Sequence, residues 1–288
     1  MSQSAVSWGL FILLSVIWGS AFIVMKKSAE ELTGMQIGAV RIVSAGLVFL
    51  PFAIFHIKQI PLKKLPLVIL TGALGNLFPA FLFAIAIEKK INSSLAGILN
   101  SLTPLFVIVI AIFFFKSTIA TKKIIGVLIG FTGLLILSLS KGGVELDNFW
   151  FAMMILLATL LYGVNVNLVS YYLKDIDPIK MATVSLAFVA IPAAIVVWQQ
   201  DVVSMATYDD NVRWSVAAAA LLGIVGSAIA TALFYILIKK AGGVFASLVT
   251  YGIPVVAIVW GLWAGENITL VQVSCLAMIL GGVYLANR

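Results

Sequence analysis

Arg41 is the one charged side chain that falls well inside an apolar stretch of this 288-residue chain. It stands about 7 residues, roughly 10 Å of helix rise, from the nearer end of its stretch. A guanidinium at that depth costs about 3 kcal/mol unless it is paired or hydrated. It can partner an anion or work a gate. It can also snorkel to the surface or cap a carbonyl within the fold.

Polar side chains gather at similar depth in other stretches: Ser20, Asn76, Asn100, Ser101, Thr103, Tyr162, Asn165, Asn167, Ser227, Thr231, Tyr235, Thr250 and Tyr251. In hydrocarbon each needs a partner, so they should face inward. A Ser or Thr can satisfy itself on its own helix backbone. An amide cannot do so as locally, which favours Asn76, Asn100 and Asn165 as lining residues. Trp18, Tyr162 and Tyr251 are placed to clamp a flat or apolar moiety, whereas Tyr235 reads as core packing. The candidate binding set is therefore Trp18, Ser20, Asn76, Asn100, Tyr162, Asn165, Ser227, Thr250 and Tyr251. Pro104 and Pro254 interrupt their stretches just after polar residues, and with Arg41 they are the candidate gating positions.

Some chemistry is missing. All eleven acids fall in predicted loops or at stretch ends, and the single histidine, His56, also lies at an end. An intramembrane proton relay needs an Asp, Glu or His, and a cationic solute would want a buried carboxylate. No HExxH, Cys/His cluster or phosphate-binding Gly loop occurs, so neither a catalytic site, a metal nor a cofactor is expected. Cys275 is the only cysteine, which precludes an internal disulfide.

The elements that carry these residues are ten apolar stretches: 7–25, 34–55, 65–87, 93–115, 124–139, 149–173, 179–198, 214–238, 244–264 and 270–286. The chain is 62% hydrophobic and 10% charged. A soluble domain carries roughly 45–50% apolar residues, while a bilayer takes about 20 per helix. The expected fold is an all-α integral membrane protein with ten transmembrane helices. No Lys or Arg precedes the first stretch, so it reads as a retained span rather than a cleaved signal. Trp8, Trp198, Trp214 and Trp263 lie at stretch ends and read as interfacial anchors.

The second five stretches echo the first five. Gly72 and Gly75 fall on Gly223 and Gly226, Phe83 on Phe234 and Lys89 on Lys240, with Pro104 on Pro254 after one residue of drift. The expected organisation is two five-helix repeats, 1–143 and 144–288. An odd number of spans inverts the second repeat in the membrane, and a site between the two can then open alternately to either face. The polar residues lie on helices 1, 3, 4, 6, 8 and 9, so a polar cavity lined by those six is expected, with helices 5 and 10 peripheral.

Ten spans put both termini on one side. That side carries eleven Lys and Arg against six on the other, so both termini are expected in the cytoplasm. The net charge of +7 then reads as an inner-leaflet bias. The basic residues form short pairs between stretches and no stripe, which argues against nucleic acid as a partner.

These residues resemble the EamA-type ten-span exporters of the drug/metabolite transporter superfamily. The resemblance rests on 18–22 (WGSAF), Arg41, the run 91–105, residues 246–255, Gly265-Glu266, the glycines 126, 130 and 133, and Gly281-Gly282. It covers essentially the whole chain. Two departures stand out. Lys116 occupies the position after the fourth span where the family usually has Glu, and the seventh stretch has no counterpart of Arg41. The resemblance implies export or exchange of small metabolites across the cytoplasmic membrane by alternating access. With the missing acids, neutral or zwitterionic solutes such as amino acids are the expected cargo. A lipid flippase or drug exporter on the same fold is the alternative, and a membrane-embedded enzyme a further one. The expected partners are a small-molecule solute and membrane lipids; a homodimer is compatible, though a monomer suffices.

Overall fold

The computed structural model describes residues 3–89, 93–139, 149–263 and 269–287, and within them every regular element is a helix. The order is α1 (Gln3–Ser28), α2 (Gly34–His56), α3 (Leu65–Gly72), α4 (Phe78–Glu88), α5 (Ser93–Asn100), α6 (Thr103–Phe115), α7 (Thr121–Leu139), α8 (Phe149–Tyr172), α9 (Pro178–Gln199), α10 (Val202–Tyr208), α11 (Asp210–Leu221), α12 (Ala230–Ala241), α13 (Gly243–Ser247), α14 (Val249–Trp263) and α15 (Leu270–Asn287). Among the described residues seven helices are long and apolar enough to cross a membrane: Ala5–Ser28, Gly34–Gln59, Leu65–Glu88, Phe149–Tyr172, Pro178–Gln199, Asp210–Ala241 and Leu270–Asn287. Thr103–Phe115 and Gly243–Val256 are shorter apolar helices. The fold is that of a multi-pass membrane protein.

Two of the long helices change pitch midway. Ala73–Leu77 and Leu222–Ile229 are π-helical, joining α3 to α4 and α11 to α12. Such turns free backbone carbonyls from the α-ladder and recur at functional sites. Two further stretches are broken. Residues Ser101 and Leu102 separate α5 from α6, whose first turn holds Pro104, and Leu248 separates α13 from α14. Hydroxyls bridge these breaks: Thr103 Oγ1 donates to Asn100 O at 2.7 Å and Thr250 Oγ1 to Ser247 O at 3.0 Å.

Helix starts follow local chemistry. Thr33 and Gln36 form a reciprocal capping box at the start of α2, and Glu88 Oε2 accepts from Gly34 N at 2.8 Å. Asp177 caps α9 through the N–H groups of Ile179 and Lys180, with Pro178 at its first position. Helix α6 ends at Lys116 in a left-handed conformation (φ 48°). The short α10 was not expected from the sequence. It follows Asp201 in a second left-handed turn (φ 50°) and seats Val202 in the core.

Helix α2 packs along α9 and α7 along α15, while α1 meets α14 and α8 meets α6. Helix α4 also lies on α8, and α12 on α1. Close approach between α7 and α15 depends on small residues. A Cβ on Gly126 would stand 2.6 Å from both Ala286 N and Gly282 O. The tryptophans divide. Trp198 and Trp214 are 78% and 75% exposed. Trp8 instead packs edge-on against Phe11 and Phe245, at 5.5 and 5.4 Å. The side chain of Trp263, together with Asn92, Gly265-Glu266 and the expected 143/144 repeat boundary, lies outside the described residues.

Candidate functional site

A cavity of about 890 Å³, open mouth included, lies among α1, α2, α4, α5, α6, α8, α12, α13, α14 and the two π-helical turns. Six of the nine candidate binding residues line it: Trp18, Asn76, Asn100, Tyr162, Asn165 and Thr250. Arg41 lines it as well, whereas Pro104 and Pro254 do not. Helices α7 and α15 contribute no lining residue, and neither does α9.

Three candidates stand elsewhere. Ser20 is half-buried off the cavity wall. Ser227 is fully buried behind the wall, where its Oγ accepts from Arg41 Nε at 2.8 Å. Tyr251 is fully buried and donates its hydroxyl to Val127 O on α7 at 2.9 Å. Two other polar residues are satisfied by backbone. Asn167 Nδ2 donates to Gly163 O and Val107 O, and Ser101 Oγ donates to Gly97 O.

The π-helical turns supply the cavity's polar backbone. Trp18 Nε1 donates to Gly226 O at 3.0 Å, so α1 is tied to the second turn through a carbonyl. On the first turn, Asn76 Oδ1 accepts from Thr231 Oγ1 at 2.9 Å. Gly75, next to it, has to be small. A Cβ there would lie 2.3 Å from Asn165 Nδ2, so the glycine makes room for that amide. Among the described residues Asn100 Oδ1 and Asn165 Oδ1 are buried without a hydrogen-bond partner. The Tyr235 hydroxyl stands near Thr71, Asn165 and Ser185, also without hydrogen-bond geometry to any of them.

Aromatic rings form much of the remaining wall. Phe83 lies between Phe22 (6.4 Å between centroids) and Tyr162 (6.2 Å), and Trp18 meets Phe234 edge-on at 5.2 Å. Phe22, Phe83, Phe234, Gly75, Gly226 and Ser247 line the cavity without having been candidates. A signal for four of them did exist, because Phe83 with Phe234 and Gly75 with Gly226 are the pairs that the internal echo superposes. Among the described residues Arg41 is the only charged one in the lining, and none of them is Asp, Glu or His. Among the described residues no cluster of three His, Cys, Asp or Glu side chains could hold a metal.

The helical fold has a counterpart in known proteins. The model of the EamA-like transporter family matches residues 6–139 and 149–288. The chain belongs to the EamA-like transporter family. An uncharacterized transporter of Archaeoglobus fulgidus is 25% identical over 98% of each chain. The inner membrane transporter YedA of Escherichia coli K12 is 24% identical over 97% of this chain and 90% of its own length. A WAT1-related chloroplastic protein of Arabidopsis thaliana is 26% identical, with 97% of this chain and 69% of its own length covered. A crystal structure 17% identical in sequence superposes with a TM-score of 0.70 over 99% of this chain and 97% of the other, a likeness of fold. The protein is a multi-pass membrane transporter.

Proposed function

We propose that the chain is a secondary transporter of small neutral or zwitterionic organic solutes, amino acids among them, working by alternating access through the cavity. In this reading ten spans form two inverted five-helix repeats, 1–143 and 144–288, with both termini in the cytoplasm. The observation that carries it is the cavity itself, a mostly apolar chamber with amide and hydroxyl groups and, among the described residues, no lining carboxylate.

Two further features support it. The family model matches two stretches of similar length, one in each half. The helix contacts also exchange in pairs when the halves are swapped. The α1–α14 contact maps onto α8–α6 and α4–α8 onto α12–α1, while α2–α9 and α7–α15 map onto themselves. A pseudo-twofold arrangement of this kind lets one chamber serve both faces as the halves rock. The missing carboxylate disfavours cations, and the missing Asp, Glu and His disfavour proton coupling.

The test uses Cys275→Ala protein carrying Asn76→Cys, labelled with a membrane-impermeant maleimide from each side of oriented vesicles. The expected result is reaction from either side and protection by a transported solute. Labelling from one side alone, under every condition, would contradict alternating access.

A further inference from the structure

We propose that Arg41 is the carboxylate-recognising residue of the cavity, and that the transported solute carries a carboxylate on an apolar body. This deepens the transporter reading above and rests on it.

The argument starts with the guanidinium's donors. Arginine has five N–H groups in a rigid fork. One is used, Nε to Ser227 Oγ at 2.8 Å. Ser227 is fully buried, so this bond anchors the plane of the guanidinium from behind. Among the described residues the four N–H groups on Nη1 and Nη2 have no hydrogen-bond partner, and no carboxylate lies within ion-pair reach of Arg41.

The backbone beneath Arg41 is held as firmly. A Cβ on Gly223 would fall 2.2 Å from Arg41 O and 1.9 Å from Ser44 Oγ, so α2 crosses the second π-helical turn in direct contact. Ser44 Oγ donates to Ala220 O at 3.2 Å on the same face. The side chain is thus held at the cavity by its anchor and by the helix that bears it.

The ligand chemistry follows from sign, number and shape. A lone guanidinium in a low-dielectric chamber attracts one negative charge and repels ammonium groups. A planar carboxylate takes two parallel N–H bonds from such a fork. A phosphate monoester carries close to two charges, and among the described residues the lining holds a single cation. Trp18, Phe22, Phe83 and Tyr162 line the same chamber and give an apolar body its surface.

The test is binding to purified full-length protein by calorimetry, with four probes that share one ring: 3-phenylpropionate, L-phenylalanine, L-phenylalaninamide and phenethylamine. The two carboxylates should bind at least tenfold tighter than the amide and the amine. Arg41→Lys should keep part of that preference and Arg41→Gln should abolish it. If Arg41→Gln does not purify folded, Arg41→Lys and the wild-type probe series decide. Equal affinity for phenylalanine and its amide would overturn the carboxylate assignment and leave the transporter reading standing. So would a carboxylate preference that survives in Arg41→Gln, and so would binding of none of the four. A carboxylate that binds through Arg41 but never crosses a proteoliposome membrane would overturn the transporter reading instead.

Discussion

Arg41 and Ser227 lie 186 residues apart and are joined by one hydrogen bond, Nε to Oγ at 2.8 Å. In the register that pairs Gly75 with Gly226, Ser227 falls on Asn76. Asn76 accepts instead from Thr231, at 2.9 Å. The two positions that this register superposes therefore do different work, one holding a cation and the other joining two helices.

Ser227→Ala removes the one anchor of the guanidinium plane. A hydrogen bond to a charged group contributes about 1.5–3 kcal/mol, so KM for a carboxylate solute should rise about tenfold in counterflow kinetics while the maximal rate changes little. Ser227→Thr keeps the hydroxyl and should restore KM. An unchanged KM in the alanine variant would remove Ser227 from any part in orienting Arg41.

Gly75→Ala pushes a methyl group to 2.3 Å from Asn165 Nδ2. Transport should fall several-fold at equal membrane abundance, and the unfolding temperature should drop. Adding Asn165→Ala relieves the clash, so the double variant should unfold at the temperature of Asn165→Ala alone. Additive losses would show that the two residues do not meet.

Gly126→Leu strikes the α7–α15 seam, where even a Cβ would lie 2.6 Å from backbone atoms of Gly282 and Ala286. Overpacking costs about 1–3 kcal/mol, and thermal unfolding in detergent should register it. The surviving folded protein should keep its KM, because neither helix lines the cavity. A shifted KM with unchanged stability would contradict that division of labour.

Among the described residues the cavity lining holds no Asp, Glu or His. Arginine and a carboxylate both stay ionised between about pH 5.5 and 8. Counterflow should therefore be flat across that window and indifferent to a protonophore. A rate that tracks an imposed proton gradient would mean that an acid outside the lining, such as Glu88, takes part.

An all-helical, multi-pass chain was legible, since long apolar runs bounded by lysine pairs leave few other readings. It also assigned the polar wall to the right helices, with Arg41 added from α2. Rotation about each helix axis was harder. A helix facing lipid on one side and protein on the other is apolar all round, so hydrophobic periodicity cannot select the inner face. That is why Tyr251 and Asn167, both satisfied by backbone carbonyls, look identical in sequence to residues on the wall. The π-helical turns were not legible either, for no residue type marks them as proline marks a kink. Arg41 had two readings, and only tertiary contacts, with Ser227 and at the Gly223 crossing, put it on the cavity wall.

The most direct test of transport is counterflow in proteoliposomes loaded with unlabelled solute and given labelled solute outside, without any ion gradient. Neutral amino acids, nucleosides and lipophilic cations make up the panel. Transient accumulation of a labelled amino acid, lost in Asn100→Ala protein of normal abundance, is the predicted result. Accumulation of a lipophilic cation alone would contradict the reading of a chamber whose one lining charge, among the described residues, is Arg41.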